Sequence, residues 1–209
     1  MDPWALGQAG LSVVLGEIAR GRRIVVECGS GASTVAIARR LHELDEGSVT
    51  SLEHEPLFAE ATRARLQEEG LDGSAVVVDA PLQAYGASGV GWYDPAAVRA
   101  VPDRIELLLV DGPPAGEPEI ERSRYPALLE LGPRLAPGAT VILDDALRPG
   151  EVWALARWRE ELDFDYELDR AAGIAIGRLE EPFDLYVARR SNGPSDQRHK
   201  HQEARGVRE

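Results

Sequence analysis

The sequence predicts a single α/β domain in which a mainly parallel sheet carries helices on both faces. Three observations lead there. Short β-branched or aliphatic runs alternate with stretches of helical period along most of the chain. The run at 105–111 is apolar almost throughout, as expected of a strand buried on both faces. The last strand-like runs follow one another too closely for helical crossovers, so they must pair antiparallel at one edge.

Taken in order, residues 4–20 place small and apolar side chains at roughly helical spacing and read as a first helix. Residues 23–27 form a β-branched run that ends at a glycine-rich turn, the mark of a buried strand. From Ser33 a helix follows, with Val35, Ile37, Ala38, Leu41 and Leu44 on one face. Residues 49–53 are a second strand. Pro56 suits the first turn of the next helix and Gly70 stops it. Strands are expected at 75–79, 105–111 and 140–144, and helices at 124–135 and 151–162. Strand-like runs at 165–170, 173–178 and 183–188 complete the domain, which is placed at 1–190. Residues 191–209 are nearly free of apolar side chains and are expected to form a disordered polar tail, because they cannot offset their ordering entropy by burial.

The chain has 209 residues, enough for one domain with a sizeable core. Its 23 basic and 36 acidic residues give a net charge of −13. An acidic surface repels phosphate backbones and anionic lipids, so neither nucleic acid nor a membrane is expected as a partner. Cys28 is the one cysteine, which excludes an intrachain disulfide and agrees with a reducing, cytoplasmic location. No basic segment leads into an apolar run at the N-terminus, so no signal peptide is expected, and the apolar runs are too short to span a bilayer.

The most informative segment is Ile24-Val25-Val26-Glu27-Cys28-Gly29-Ser30-Gly31-Ala32-Ser33-Thr34. A buried strand runs into two glycines and then a helix. Glycines let a ligand approach the backbone, and the helix start offers free N–H groups. A dinucleotide turn has a third glycine where this chain has Thr34, and an acid such as Glu27 is out of place beside a pyrophosphate. A carboxylate there suits a cationic ligand group instead.

In this pattern the chain resembles the class I S-adenosylmethionine-dependent methyltransferases, most closely a small bacterial group. The resemblance rests on Glu27 to Thr34, Leu52-Glu53, Trp92-Tyr93-Asp94, Val110-Asp111-Gly112-Pro113-Pro114 and Leu143-Asp144-Asp145, five segments in order on expected strand ends. It implies a Rossmann-like, seven-stranded sheet and S-adenosylmethionine as cofactor. It also implies a cofactor site built from Glu27, Gly29, Ser30, Gly31, Ser33, Thr34, Glu53, His54, Asp79, Ala80 and Asp111. Glu53 would take both ribose hydroxyls, with Glu55 as its nearby competitor. Asp79 would face the adenine amino group and the Ala80 N–H a ring nitrogen.

Asp111 and Asp144 leave central strands on the same sheet edge as Glu27, where an unpartnered buried carboxylate would be costly, so they are expected to face the pocket. Methyl transfer needs alignment and removal of the acceptor's proton, which makes Asp144, with Asp111 beside it, the expected catalytic pair. A metal reading stands next to this one. In metal-dependent O-methyltransferases comparable positions bind Mg2+, and Asp111, Asp144 and Asp145 offer three carboxylates, although Asp145 stands where asparagine is usual. Trp92 and Tyr93 either wall an acceptor pocket or cover the sheet, whereas Trp153, Trp158 and Cys28 are expected to pack in the core.

The expected acceptor is a small molecule methylated at oxygen or nitrogen, and homo-oligomerisation is left open. Two other functions compete. A catalytically inactive methyltransferase-like binding module is one, and the retention of Glu27, Glu53, Asp79, Asp111 and Asp144 speaks against it. An NAD-dependent oxidoreductase of the Tyr-Lys kind is excluded, because the lone lysine, Lys200, lies in the tail.

Overall fold

A computed structural model describes residues 6–86 and 89–179. The expected strand at 183–188 and the polar tail lie outside the described residues.

Helix α1 (Gln8–Ala19) leads into β1 (Ile24–Cys28), α2 (Ala32–Glu43), β2 (Ser48–Glu53), α3 (Pro56–Glu68) and β3 (Ala75–Asp79). A hairpin of β4 (Leu82–Tyr85) and β5 (Val90–Tyr93) follows, then α4 (Pro95–Ala100) and β6 (Ile105–Val110). The second half comprises α5 (Pro126–Leu131), β7 (Leu135–Leu143), α6 (Pro149–Leu162), β8 (Glu167–Asp169) and β9 (Ile174–Arg178). The main sheet has seven strands in the order β3-β2-β1-β6-β7-β9-β8. The first five of that order run parallel, and β9 is antiparallel to both β7 and β8. This is the predicted architecture, including the antiparallel pair at one edge.

The central strands β1 and β6 are buried on both faces, and their side chains alternate between two cores. Leu107 and Leu109 join Val25, Ile18, Ile37 and Leu41 on the face covered by α1, α2 and α3. Leu108 and Val110 join Val26, Leu128, Leu131 and Trp158 on the face covered by α4, α5 and α6. That period-two division explains why the strand at 105–110 reads as a continuous apolar run. Trp158 is fully buried and its indole N–H donates to the Tyr125 carbonyl at 2.8 Å, while Cys28 is buried among aliphatic neighbours, as expected of both.

Two expectations need correction. The helix at 124–135 is only Pro126–Leu131, followed by a 3-10 turn at Gly132–Arg134 and then by strand from Leu135. Pro126 lacks an N–H and opens the helix, and Gly132-Pro133 ends it. The hairpin at 82–93 was not foreseen, because Leu82-Gln83-Ala84-Tyr85 carries few strand-forming side chains and its partner strand holds a glycine.

The strand order reverses between β1 and β6. Beyond the carboxyl ends of these two strands lies the crevice in which open α/β sheets bind ligands.

Candidate active site

A cleft of about 280 Å³ opens at that crevice. It is walled by the turn after β1, by Glu53 and His54 after β2, by the loop after β6, and by Asp144, Asp145 and Arg148 after β7.

The turn is tied down by its own side chains. Gly29 adopts φ 96° and Gly31 φ 153°, conformations closed to most residues with a Cβ. Gly29 N–H donates to the Leu52 carbonyl (2.9 Å), Ser30 N–H to Glu53 Oε2 (2.8 Å) and Gly31 N–H to Thr34 Oγ1 (3.0 Å). Three successive donors that would cradle phosphate in a dinucleotide turn are thus committed within the protein. Thr34 explains why the third glycine is absent, since its hydroxyl closes the turn.

Glu27 is buried, and three hydroxyls hold its carboxylate. Ser33 donates to Oε1, and Thr34 and Ser51 donate to Oε2 at 2.5 and 2.8 Å. Burial pushes the Glu27 carboxyl up, against the pull of these hydroxyls. Glu27 therefore organises the turn, tying β1, β2 and the start of α2 together beneath the cleft. Glu53, also buried, accepts from Ser30 N–H and Ser30 Oγ at Oε2 and from Glu55 N–H at Oε1, with His54 Nδ1 3.1 Å from Oε1. Burial alone would raise its pKa, but His54, the Glu55 N–H and Ser30 together hold it below the usual range. Glu53 and His54 both line the cleft; Glu55 does too, but it serves Glu53 through its backbone.

Asp79 and Ala80 are placed elsewhere. β3 is the sheet edge, and the Asp79 carboxylate is exposed and paired with Arg63 at 2.7 Å. The Ala80 N–H donates to the Glu53 carbonyl at 2.7 Å. Neither residue is part of the cleft wall in this arrangement.

At the other end, Asp111 and Asp144 extend from paired strands. Val110 and Leu143 are in register across β6 and β7, and the next residue of each strand enters the cleft. Burial raises the Asp111 carboxyl to about 8; Arg124 opposes the shift, and Asp144 and Glu27 add to it. Asp144 is raised as well, again chiefly by burial, while a hydrogen bond from Asp111 pulls the other way. Asp145 turns the chain with a left-handed backbone (φ 54°), which aspartate tolerates better than most residues, and its carboxylate also reaches the cleft.

Two residues stand out that sequence reasoning passed over or left open. Arg124 was read as the first residue of a helix. Instead it is buried in the cleft wall and ties together the loops after β6 and β7. Nε donates to the Pro113 carbonyl (3.1 Å), Nη2 to the Asp111 carbonyl (2.7 Å), and Nη1 to the Asp144 carbonyl (3.2 Å) and Asp145 Oδ2 (3.1 Å). Tyr93 is the aromatic residue of the hairpin that reaches the cleft; Trp92 is buried beside it with ring centroids 4.9 Å apart. The Tyr93 hydroxyl is buried and has no hydrogen-bond partner among the described residues. It lies where a Cβ on Gly112 would come within 2.6 Å of it, so Gly112 is required for the ring to reach the crevice.

The fold is a parallel α/β sheet with a glycine turn and a carboxylate pair at the same edge. The comparisons make the class specific. Residues 26–146 match the family model described as "Methyltransferase domain", and the chain belongs to that family. Its fold is similar to a methyltransferase from Geobacter sulfurreducens, with TM-score 0.59 and 18% identity over 84% of this chain and 80% of the other. It is also similar to the O-methyltransferase from Bacillus cereus solved with SAH (TM-score 0.60, 16% identity, 85% and 83% covered). A third is the O-methyltransferase TomG from Streptomyces achromogenes solved with SAM (TM-score 0.57, 19% identity, 86% and 83% covered). At these identities the likeness is one of fold. No curated protein matches the sequence. No helix among the described residues is long and apolar enough to cross a membrane.

Proposed function

We propose that this methyltransferase takes its methyl group from S-adenosylmethionine and passes it to an oxygen or nitrogen of a small-molecule acceptor, with Asp144 removing the acceptor's proton. The observation that carries this reading is the close carboxyl pair Asp111–Asp144, within 4.8 Å of each other, in the same cleft as the turn after β1.

The cleft suits such a cofactor. Its acids, Glu27, Glu53, Glu55, Asp111, Asp144 and Asp145, outnumber its basic groups, His54, Arg124 and Arg148, which favours a ligand carrying a sulfonium and an amino group. Glu53, oriented by Ser30 and Glu55, keeps lone pairs for a ribose diol. The unpartnered Tyr93 hydroxyl offers a further donor at the floor. When bound, the cofactor supplies an electrophilic methyl group. The acceptor's oxygen or nitrogen would take that methyl group with S-adenosylhomocysteine as the leaving group, and Asp144 would receive the acceptor's proton.

A second hollow lies beside the cleft and shares Pro114 and Arg148 with it. It is the natural seat for the acceptor. The O-methyltransferase neighbours support oxygen as the first atom to try. Incubation with labelled S-adenosylmethionine and a panel of small hydroxylated and amino compounds tests the proposal. Label transferred to an acceptor, and lost on Asp144→Asn, supports it. Binding of the cofactor with no transfer to any acceptor would favour a binding module.

A further inference from the structure

Asp111, Asp144 and Asp145 each offer an oxygen, and the three lie within 4.8 Å of one another. Taken alone, that would be a candidate seat for a divalent ion. The surroundings say otherwise. The Arg124 side chain is 5% exposed and its guanidinium spans two of the three carboxylates, with Nη2 3.5 Å from Asp111 Oδ1 and Nη1 3.1 Å from Asp145 Oδ2. Behind it, the fully buried Glu151 places Oε1 3.5 Å from Nη1. A second guanidinium, Arg148, meets Asp145 Oδ2 at 2.8 Å.

We propose that Arg124 takes the place of a divalent ion, and that this cleft works with a built-in cation and no metal. Mg2+ demands near-octahedral oxygen coordination at about 2.0–2.1 Å, usually through one or two carboxylates. Here Asp145 Oδ2 accepts from Arg124 and lies 2.8 Å from Arg148, and Asp111 Oδ1 faces Arg124 Nη2 at 3.5 Å, so an added ion would meet two guanidinium charges across its own ligands. Arg124 cannot swing away. It is held by three backbone carbonyls, of Pro113, Asp111 and Asp144, and its loop is wedged against α6, where a Cβ on Gly150 would come within 1.8 Å of the Glu121 carbonyl oxygen. A permanently charged planar fork bridges carboxylates in fixed geometry. The consequence for chemistry is that Asp144, which forms no ion pair among the described residues, keeps its lone pairs for the acceptor's proton. A metal would occupy them. Arg124 is therefore a positioning residue, acting through Asp111 and Asp145.

The inference concerns the protein's own charges, so it is tested without cofactor or acceptor and stands or falls apart from the methyl-transfer reading. Mn2+ titrated into the wild-type protein and followed by electron paramagnetic resonance should show no site tighter than about 1 mM, the weak end for carboxylate sites. Arg124→Gln should open the cluster and gain one Mn2+ per chain at least about tenfold more tightly, the equivalent of roughly 1.4 kcal/mol. Arg124→Lys, which restores a cation, should lose that site again. Micromolar Mn2+ binding by the wild type overturns the proposal, whatever the variants do. So does a folded Arg124→Gln protein that gains no ion. If Arg124→Gln does not fold, the wild-type titration still decides, because a cleft whose cation seat is taken has no room for the ion.

Discussion

The carboxyl groups of Asp111 and Asp144 lie within 4.8 Å of each other at the cleft, one residue beyond the point where β6 and β7 pair in register. Parallel neighbours place successive strand ends side by side, so an aspartate at the same step of each strand makes a carboxyl pair without any special loop. Burial and mutual repulsion let the pair keep one proton near neutrality.

The pair should make both stability and cofactor binding depend on pH. Asp111 is raised from 3.8 to about 8, so the folded protein holds a proton that the unfolded chain gives up in mild acid. Its contribution to stability is therefore complete below about pH 4 and is lost as pH rises towards 8. Thermal melts from pH 5.5 to 9 should show a decline that Asp111→Asn flattens. A cationic ligand favours the ionised pair, so the ratio of S-adenosylmethionine to S-adenosylhomocysteine affinity should rise over the same interval. Identical profiles for wild type and Asp111→Asn would contradict this.

Asp144→Asn should lower turnover by about 100-fold or more if proton removal contributes in the usual range, with S-adenosylhomocysteine affinity within a few fold of wild type. Asp111→Asn keeps a donor to Asp144 and should lose less. Full turnover in both variants on an identified acceptor would move the base elsewhere, or leave alignment as the whole of catalysis.

Glu53→Ala should weaken the adenosyl ligand by about 1.5–3 kcal/mol, the range for hydrogen bonds to a charged group. It also frees Ser30 from its anchor. Glu55→Ala keeps the backbone N–H that Glu53 uses and should change binding far less. Calorimetry separates the two, and equal losses would mean that the ribose lies against a different strand end.

Tyr93→Phe removes a buried hydroxyl that no group of the described protein satisfies. Stability should stay level or rise, while S-adenosylhomocysteine affinity falls by about 0.5–1.5 kcal/mol. A lower melting temperature with unchanged affinity would show that the hydroxyl serves the fold and not the ligand.

The sequence displayed the strand-end acids because chain order dictates them. A strand followed by Gly29-Ser30-Gly31, or one that ends in Glu53, Asp111 or Asp144, carries its functional residue to the same sheet edge wherever the helices pack. Asp79 stands apart from the other strand-end acids for a reason equally physical. It too ends a strand, but β3 is the edge of the sheet, and Arg63 on α3 captures the carboxylate outside the cleft. Arg124 was invisible because its partners lie 11 to 21 residues away and meet it only through the path of a loop, with no periodicity or motif to mark it. Tyr93 was undecided for a related reason. Whether an aromatic residue faces a pocket or a sheet depends on a hairpin whose own strand signals are weak.

The central claim is that the turn after β1 receives an adenosyl ligand bearing a cationic methyl donor. Isothermal titration calorimetry of the purified protein with S-adenosylhomocysteine, S-adenosylmethionine and NAD+ in parallel tests it most directly. The arrangement of Glu27, Ser30, Thr34 and Glu53 predicts one site per chain for both adenosyl ligands and no heat of binding with NAD+. Saturable NAD+ binding with no response to either adenosyl ligand would contradict it.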